Sequence, residues 1–266
     1  MFEIKDKYNI NDLLEIMALL RSENGCPWDK VQTHESIRTD LIEETYEVCE
    51  GIDNNSPDML KEELGDLLLQ IVFHSQIERE AGNFTFEDVC NDICQKLVYR
   101  HPHVFGEVKV SGSEDVLKNW DELKKKSKNQ QTYTETLESV PKNFPALLRA
   151  QKISKRISRA GVPADNADIS AQNIRQALDC LVSTENGASA EENQSIMGNL
   201  LWNVCNLCKI LKIDGEKALT YSANEVIIVF GTVEKELNAH GRSLSDVSDE
   251  ELADITKKLF PAVSDR

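Results

Sequence analysis

Leu41-Ile42-Glu43-Glu44-Thr45-Tyr46-Glu47-Val48, answered after a break by Lys61-Glu62-Glu63-Leu64-Gly65-Asp66-Leu67-Leu68-Leu69, is the stretch on which the reading of this chain turns. Each run places acids three residues apart, Glu44 with Glu47 and Glu63 with Asp66. On an α-helix that spacing puts both side chains on one face. Between the runs, Gly51 suits a C′ stop, Ser56 an N-cap and Pro57 a first helical position. The expected product is a helical hairpin on which the two acid pairs face each other. Four carboxylates at one point repel unless a divalent cation sits among them, and hard oxygen donors suit Mg²⁺ or Mn²⁺. An acid pair alone is commonly a solvated helix face. These acids border apolar runs instead, and the positions where a neutralising cation would stand hold Glu47, Val48, Leu67 and Gln70.

The bulk composition narrows the partners. The 266 residues suffice for one large domain or two ordinary ones. Thirty basic residues against 46 acidic ones give a net charge of −16, which argues against binding to a nucleic-acid backbone or an anionic membrane. A polyphosphate ligand stays compatible, because a bound metal reverses the local field. No stretch has the length and apolarity of a membrane span, and Met1-Phe2-Glu3-Ile4-Lys5-Asp6 does not read as a signal peptide. The seven Cys, odd in number and scattered through helical patterns, read as reduced and mostly buried thiols of a cytoplasmic protein.

Helical periodicity dominates throughout. A first helix is expected from Asn11 to Glu23, with Leu13, Leu14, Met17 and Leu20 on one face, followed by a loop over Asn24-Gly25-Cys26-Pro27-Trp28-Asp29. A second helix, capped near Thr33, carries the first acid run, and a third carries the second run and ends at Ala81-Gly82. Thr85 caps a fourth, with Phe86, Val89, Ile93 and Leu97 facing inward and Cys90 and Cys94 on a face that also reads as buried. The segment His101 to Gly106 reads as a stop, and Val116 to Lys126 as a short helix. This gives an all-α chain of two tandem helical domains, 1–128 and 145–266, joined by a polar linker over 129–144. In the second half, helices are expected over Gln172–Leu181, Gln194–Leu211 and Glu216–Leu237. There Ile196-Met197-Gly198-Asn199-Leu200-Leu201 echoes Glu63-Leu64-Gly65-Asp66-Leu67-Leu68 and reads as a weak internal repeat. Ile196 and Asn199 stand where Glu63 and Asp66 stand in the first copy.

Phosphate chemistry on a metal needs cations for the uncovered phosphates and a surface for the rest of the substrate. Lys96 and Arg100, four apart on a helix expected to return beside the hairpin, supply the first, and Trp28 and Trp120 are candidates to stack on a base. Glu43 is a spare carboxylate for a general base or an orienting group. Other chemistries fit less well. No His has an acid three residues before it, as a ferritin-like di-iron site would want. Cys205-Asn206-Leu207-Cys208 is a lone CxxC, and no Walker-type loop, GxGxxG or GxSxG is present.

The ordered set of E-E-x-x-E, then E-x-x-D nineteen residues on, preceded by Gly25-Cys26-Pro27-Trp28-Asp29-Lys30-Val31-Gln32-Thr33, resembles the MazG family of nucleoside triphosphate pyrophosphohydrolases. Arg100-His101-Pro102-His103-Val104-Phe105, Trp120 and Pro145-Ala146-Leu147-Leu148-Arg149-Ala150-Gln151-Lys152-Ile153 extend the match. The resemblance implies a helical-bundle fold, usually dimeric, cleaving a nucleoside triphosphate between its α and β phosphates to a monophosphate and pyrophosphate, in nucleotide-pool house-cleaning. By that resemblance Glu44, Glu47, Glu63 and Asp66 match Mg²⁺ ligands, Lys96 and Arg100 the basic pair on the triphosphate, and Trp120 a nucleotide contact. The second half departs from the pattern. Gln176, Ala177, Cys180, Ile196 and Asn199 take the acid positions, and Val226 and Phe230 the basic ones, so that half is expected to lack chemistry and to serve dimerisation or shape. The competing reading is a non-catalytic helical regulator that binds a nucleotide or a partner protein.

Overall fold

The computed structural model describes residues 2–127, 131–162, 166–183 and 189–259. Among these residues the chain is all-α, with thirteen α-helices, one 3₁₀ turn and no strand. It divides into two compact units, Met1–Lys124 and Lys125–Arg266. The linker expected over 129–144 falls partly on residues 129 and 130, which lie outside the described residues.

The first unit opens with α1 (Ile10–Leu20), started by a reciprocal cap between Asn9 and Asp12. Asp12 is buried yet satisfied, accepting from Lys5 Nζ at 2.5 Å and from the Asn9 amide at 2.8 Å. The loop expected over Asn24 to Asp29 contains a short helix, α2 (Pro27–Val31), with Pro27 at its first position. Gly25 allows the tight turn before it, since a Cβ there would lie 2.2 Å from the Leu19 carbonyl oxygen. The helix expected to start near Thr33 starts later, as α3 (Arg38–Asp53). Thr33 and Ser36 instead bond to each other's amides and hold a turn ahead of it.

Next come α4 (Pro57–Ala81), α5 (Phe86–Arg100), the one-turn α6 (Pro102–Phe105) and α7 (Ser113–Ser127). Three expected punctuation marks are present. Ser56 caps α4 with Pro57 behind it, Gly82 ends α4 in the left-handed region at φ 76°, and Thr85 forms a capping box with Asp88. Gly51 is a correction: it lies inside α3 and does not stop it. It is buried, and a Cβ there would lie 3.0 Å from the Leu60 amide nitrogen and 3.1 Å from Leu60 Cα. Its role is close approach of α3 to α4. These two helices form the dominant hairpin of the unit.

The core of this unit lies at the other end of α4. Met17, Ile37, Val72 and Phe73 are buried together, with Leu13, Leu14, Leu69, Ile77 and Phe86 packed against them. The Arg21 guanidinium sits 5.3 Å from the Phe73 ring centre. It bonds Glu80 at 2.8 Å and donates to the carbonyls of Asp29 and Gln32, fastening the α2 segment to α4. Two further expectations are corrected. Ile93 and Leu97 are each 40 % exposed, and every residue from Cys90 to Tyr99 of α5 is exposed, so that helix faces outward within its own chain. The thiols are not mostly buried either: Cys205 is buried, while Cys49, Cys90, Cys94 and Cys180 are exposed.

The second unit contains α8 (Tyr133–Glu138), α9 (Ala146–Arg159), α10 (Ala167–Val182), α11 (Ala190–Ile210), α12 (Gly215–Ala239), a 3₁₀ turn at Leu244–Asp246 and α13 (Asp249–Leu259). Helix α8 lies within the expected linker, and Val140 just after it is fully buried. The closest pairing is the α10–α11 hairpin, with α9 laid against α11. Buried Ser154 of α9 donates to Asn206 of α11 at 2.5 Å, and Gln151 bonds the backbone of Ile213 and Gly215. Each unit thus contains one closely paired helical hairpin, α3–α4 in the first and α10–α11 in the second.

Gly51→Ala should destabilise the chain by about 1–3 kcal/mol, because backbone atoms of α4 must retreat and the gain in helix propensity is smaller. Gly231→Ala in α12, where a Cβ meets nothing within 4 Å, should be neutral or stabilising by up to about 1 kcal/mol. Chemical denaturation of both variants checks the pair.

Candidate metal and phosphate site

The contact of Gly51 with Leu60 fixes how the hairpin's faces meet. Counting outward from it along antiparallel helices, Glu47 falls level with Leu64 and Glu44 with Leu67, each within one residue of Glu63 and Asp66. The side chains follow that register. One carboxylate oxygen from each of Glu44, Glu63 and Asp66 lies within 4.8 Å of the others, all three residues being half-buried. Among the described residues no other group of three or more acidic, His or Cys side chains converges this closely. None of the three takes part in an ion pair among the described residues.

The electrostatics record the crowding. The Glu44 carboxyl is held above the ordinary glutamate range, first by burial and then by the charges of Asp66, Glu47 and Glu63. Glu63 is raised as well, by burial and then by Glu47, Glu62, Asp66 and Glu50. Glu47 therefore stands beside the cluster and acts on both glutamates without belonging to the converged trio. Glu43 is exposed on α3, outside it. The donor set fits a hard divalent cation: all oxygen, half-buried, and carrying more negative charge than its surroundings offset.

A second constellation forms where α5 ends. Arg100 is buried, and its guanidinium carbon lies 5.5 Å from the centre of the Trp120 ring. His101 meets the same ring edge-on at 4.8 Å, with His103 5.6 Å from His101. Arg100 and Trp120 are thus brought together. Lys96 and Trp28 are exposed, and neither side chain bonds to another group among the described residues, apart from the Trp28 carbonyl accepting from Gln32. His101 was legible as a turn residue. Its packing on Trp120 was not, because the loop between them leaves no periodic trace.

The chain can now be set beside known proteins. The family signature of the MazG nucleotide pyrophosphohydrolase domain matches residues 32–105, which contain all four candidate ligands. A Thermotoga maritima nucleoside triphosphate pyrophosphohydrolase/pyrophosphatase MazG is 37 % identical over 247 residues, covering 93 % of this chain and 94 % of that protein. An Escherichia coli nucleoside triphosphate pyrophosphohydrolase is 36 % identical over 253 residues, covering 94 % and 96 %. An uncharacterised Bacillus subtilis protein, YabN, is 39 % identical over 238 residues; the match takes 89 % of this chain but 48 % of that longer protein.

Without divalent cations, the double variant Glu44→Gln, Glu63→Gln should melt above the wild type near neutral pH. Folding raises the proton affinity of both groups, so their ionisation opposes the native state at neutral pH. That cost is relieved as pH falls from neutral through the raised values towards the ordinary glutamate range, so the gap should narrow as the solution is acidified. Melting curves across this range check it; a wild type as stable as the variant at neutral pH contradicts it.

Proposed function

This chain belongs to the MazG family of nucleoside triphosphate pyrophosphohydrolases, hydrolases acting on phosphoric anhydrides, and we propose that it cleaves (deoxy)nucleoside triphosphates between the α and β phosphates in a Mg²⁺-dependent reaction. The observation that carries this reading is the convergence of Glu44, Glu63 and Asp66 on one half-buried point. These three, with Glu47 beside them, would hold Mg²⁺, and Mn²⁺ is a chemically reasonable substitute. When bound, the ion supplies positive charge for the triphosphate oxygens and lowers the pKa of a coordinated water.

The chain's own groups do the rest. Glu43, next to Glu44 and outside the trio, accepts the proton of the attacking water. Water oxygen bonds to the α phosphorus, the α–β bridging bond breaks, and its electron pair leaves with pyrophosphate. Arg100 and Lys96 neutralise that leaving group. For Arg100 the support is structural: burial against Trp120 fixes its guanidinium, so its charge is oriented before substrate arrives. Trp120 and Trp28 offer ring surface to the nucleoside.

A homodimer belongs to the same reading. Ten consecutive exposed residues on α5 include Ile93, Leu97, Val98 and Tyr99, an apolar surface that a second copy would cover. The second unit is assigned no chemistry, since Ala177, Cys180, Ile196 and Asn199 provide no carboxylate on the α10–α11 hairpin. Among the described residues no helix is long and apolar enough to cross a membrane, which is compatible with work on a cytoplasmic nucleotide pool.

Incubating the full chain with Mg²⁺ and a panel of triphosphates should yield monophosphate and pyrophosphate. Diphosphate and orthophosphate would move the attack to the γ position and defeat the proposal. Asp66→Asn should lower kcat by about 10²-fold or more, the scale expected when charge stabilisation is lost in the transition state. Turnover close to wild type in that variant would remove Asp66 from the site.

A further inference from the structure

Unit 1 carries a half-buried polar chain that hydrolysis does not use. His34 lies in the turn between α2 and α3, and its two ring nitrogens reach in two directions. Nε2 is 2.6 Å from Glu78 Oε1, and Nδ1 is 2.7 Å from Nδ1 of His74. The rings lie within 12° of parallel. Asn83 Nδ2 donates to the other Glu78 oxygen at 2.6 Å. His74 and Glu78 are one turn apart on α4, eight and twelve residues beyond Asp66. The chain Asn83–Glu78–His34–His74 therefore ties α4 to the segment from which α3 departs four residues later.

The contact has a fixed proton content. Glu78 accepts a hydrogen bond from Nε2–H of His34, so in the neutral pair His34 Nδ1 is the acceptor and His74 Nδ1 the donor. The space between the two Nδ1 atoms holds one proton. Two imidazolium rings would point two N–H groups at each other, and the contact cannot survive that. His74 Nε2 is buried with no hydrogen-bond partner among the described residues, so the ring has no acceptor ready for a second proton.

We propose that His34, His74 and Glu78 are positioning residues, a latch that holds the start of α3 against α4 and so sets Glu44 opposite Glu63 and Asp66. It holds while one proton bridges the imidazoles and opens when a second arrives. The functional consequence rests on the metal-site reading above, whereas the latch itself is read without turnover. Burial, and then the neighbouring His34, keep His74 below the ordinary histidine range. The stabilisation is thus present above that range and lost as pH falls through the depressed value. Around the pair, Glu78 comes from α4 and Glu35 from the turn itself. Arg21, beyond α1, is engaged by Glu80, and Asp88 of α5 by the Thr85 cap. Arg38 and Asp40 of α3 are not among the groups that shift His74.

The test begins with ¹⁵N-histidine NMR of the full chain. His74 should appear as the Nδ1–H tautomer, and the pair should take up its second proton well below the ordinary histidine range. Two independent titrations near the ordinary value would overturn the latch, whether or not any variant folds. Then Mn²⁺ affinity is measured by electron paramagnetic resonance on wild type, His34→Asn and His74→Asn. Loss of one or two hydrogen bonds predicts about five- to tenfold weaker binding at neutral pH in both variants. Folded variants with wild-type Mn²⁺ affinity would overturn the positioning role. A wild type that binds no Mn²⁺ would defeat the metal-site reading instead, and the NMR titration would still decide the latch.

Discussion

Backbone-to-backbone contact between Gly51 of α3 and Leu60 of α4 is the constraint from which the site follows. Helices joined by a short turn can slide past one another in many registers, and most would scatter the acids along the hairpin. A glycine at which an added Cβ would lie 3.0 Å from the Leu60 amide nitrogen selects one register, in which Glu44 and Glu47 come within a residue of the levels of Asp66 and Glu63. Packing then accepts an electrostatic penalty. The burial and like charge that raise Glu44 and Glu63 would not persist without stronger apolar support elsewhere. That support lies around Val72 and Phe73, two to three turns further along α4. Stable core and strained site thus share one helix, the first anchoring what the second destabilises.

Much of this was legible from residue types whose physics is local. Thr85 with Asp88, Ser56 with Pro57, and Gly82 after Ala81 are punctuation that acts within one turn, and each sits where its chemistry demands. The carboxylates were legible for a similar reason: a three-residue spacing has one geometric consequence on a helix. The readings that failed depended on long-range packing. Gly51 reads as a stop because glycine usually ends helices, but here its missing Cβ serves a neighbour nine residues away in sequence. α5 reads as amphipathic and hence inward-facing, yet a periodic apolar face says only that something covers it, not what. Cys90 and Cys94 follow the same face and were misjudged with it. The His34–His74 contact spans forty residues, and no pattern in either neighbourhood announces it.

The two units separate architecture from chemistry. α10 and α11 repeat the pairing of α3 and α4, with α9 buttressing α11 through buried Ser154. What differs is the chemistry of a few positions. Ala177, set against the first acid cluster in the sequence comparison of the halves, is buried, and Ile196 and Asn199 stand against Glu63 and Asp66.

The central claim is that the α3–α4 carboxylates form a divalent-cation site. Calorimetric titration of Mg²⁺ into the full chain, with a non-hydrolysable α,β-methylene triphosphate analogue present, addresses it most directly. The account predicts saturable binding by the wild type and by Glu43→Gln, and its loss in both Glu63→Gln and Asp66→Asn. Equal Mg²⁺ binding by wild type and those two ligand variants would contradict it.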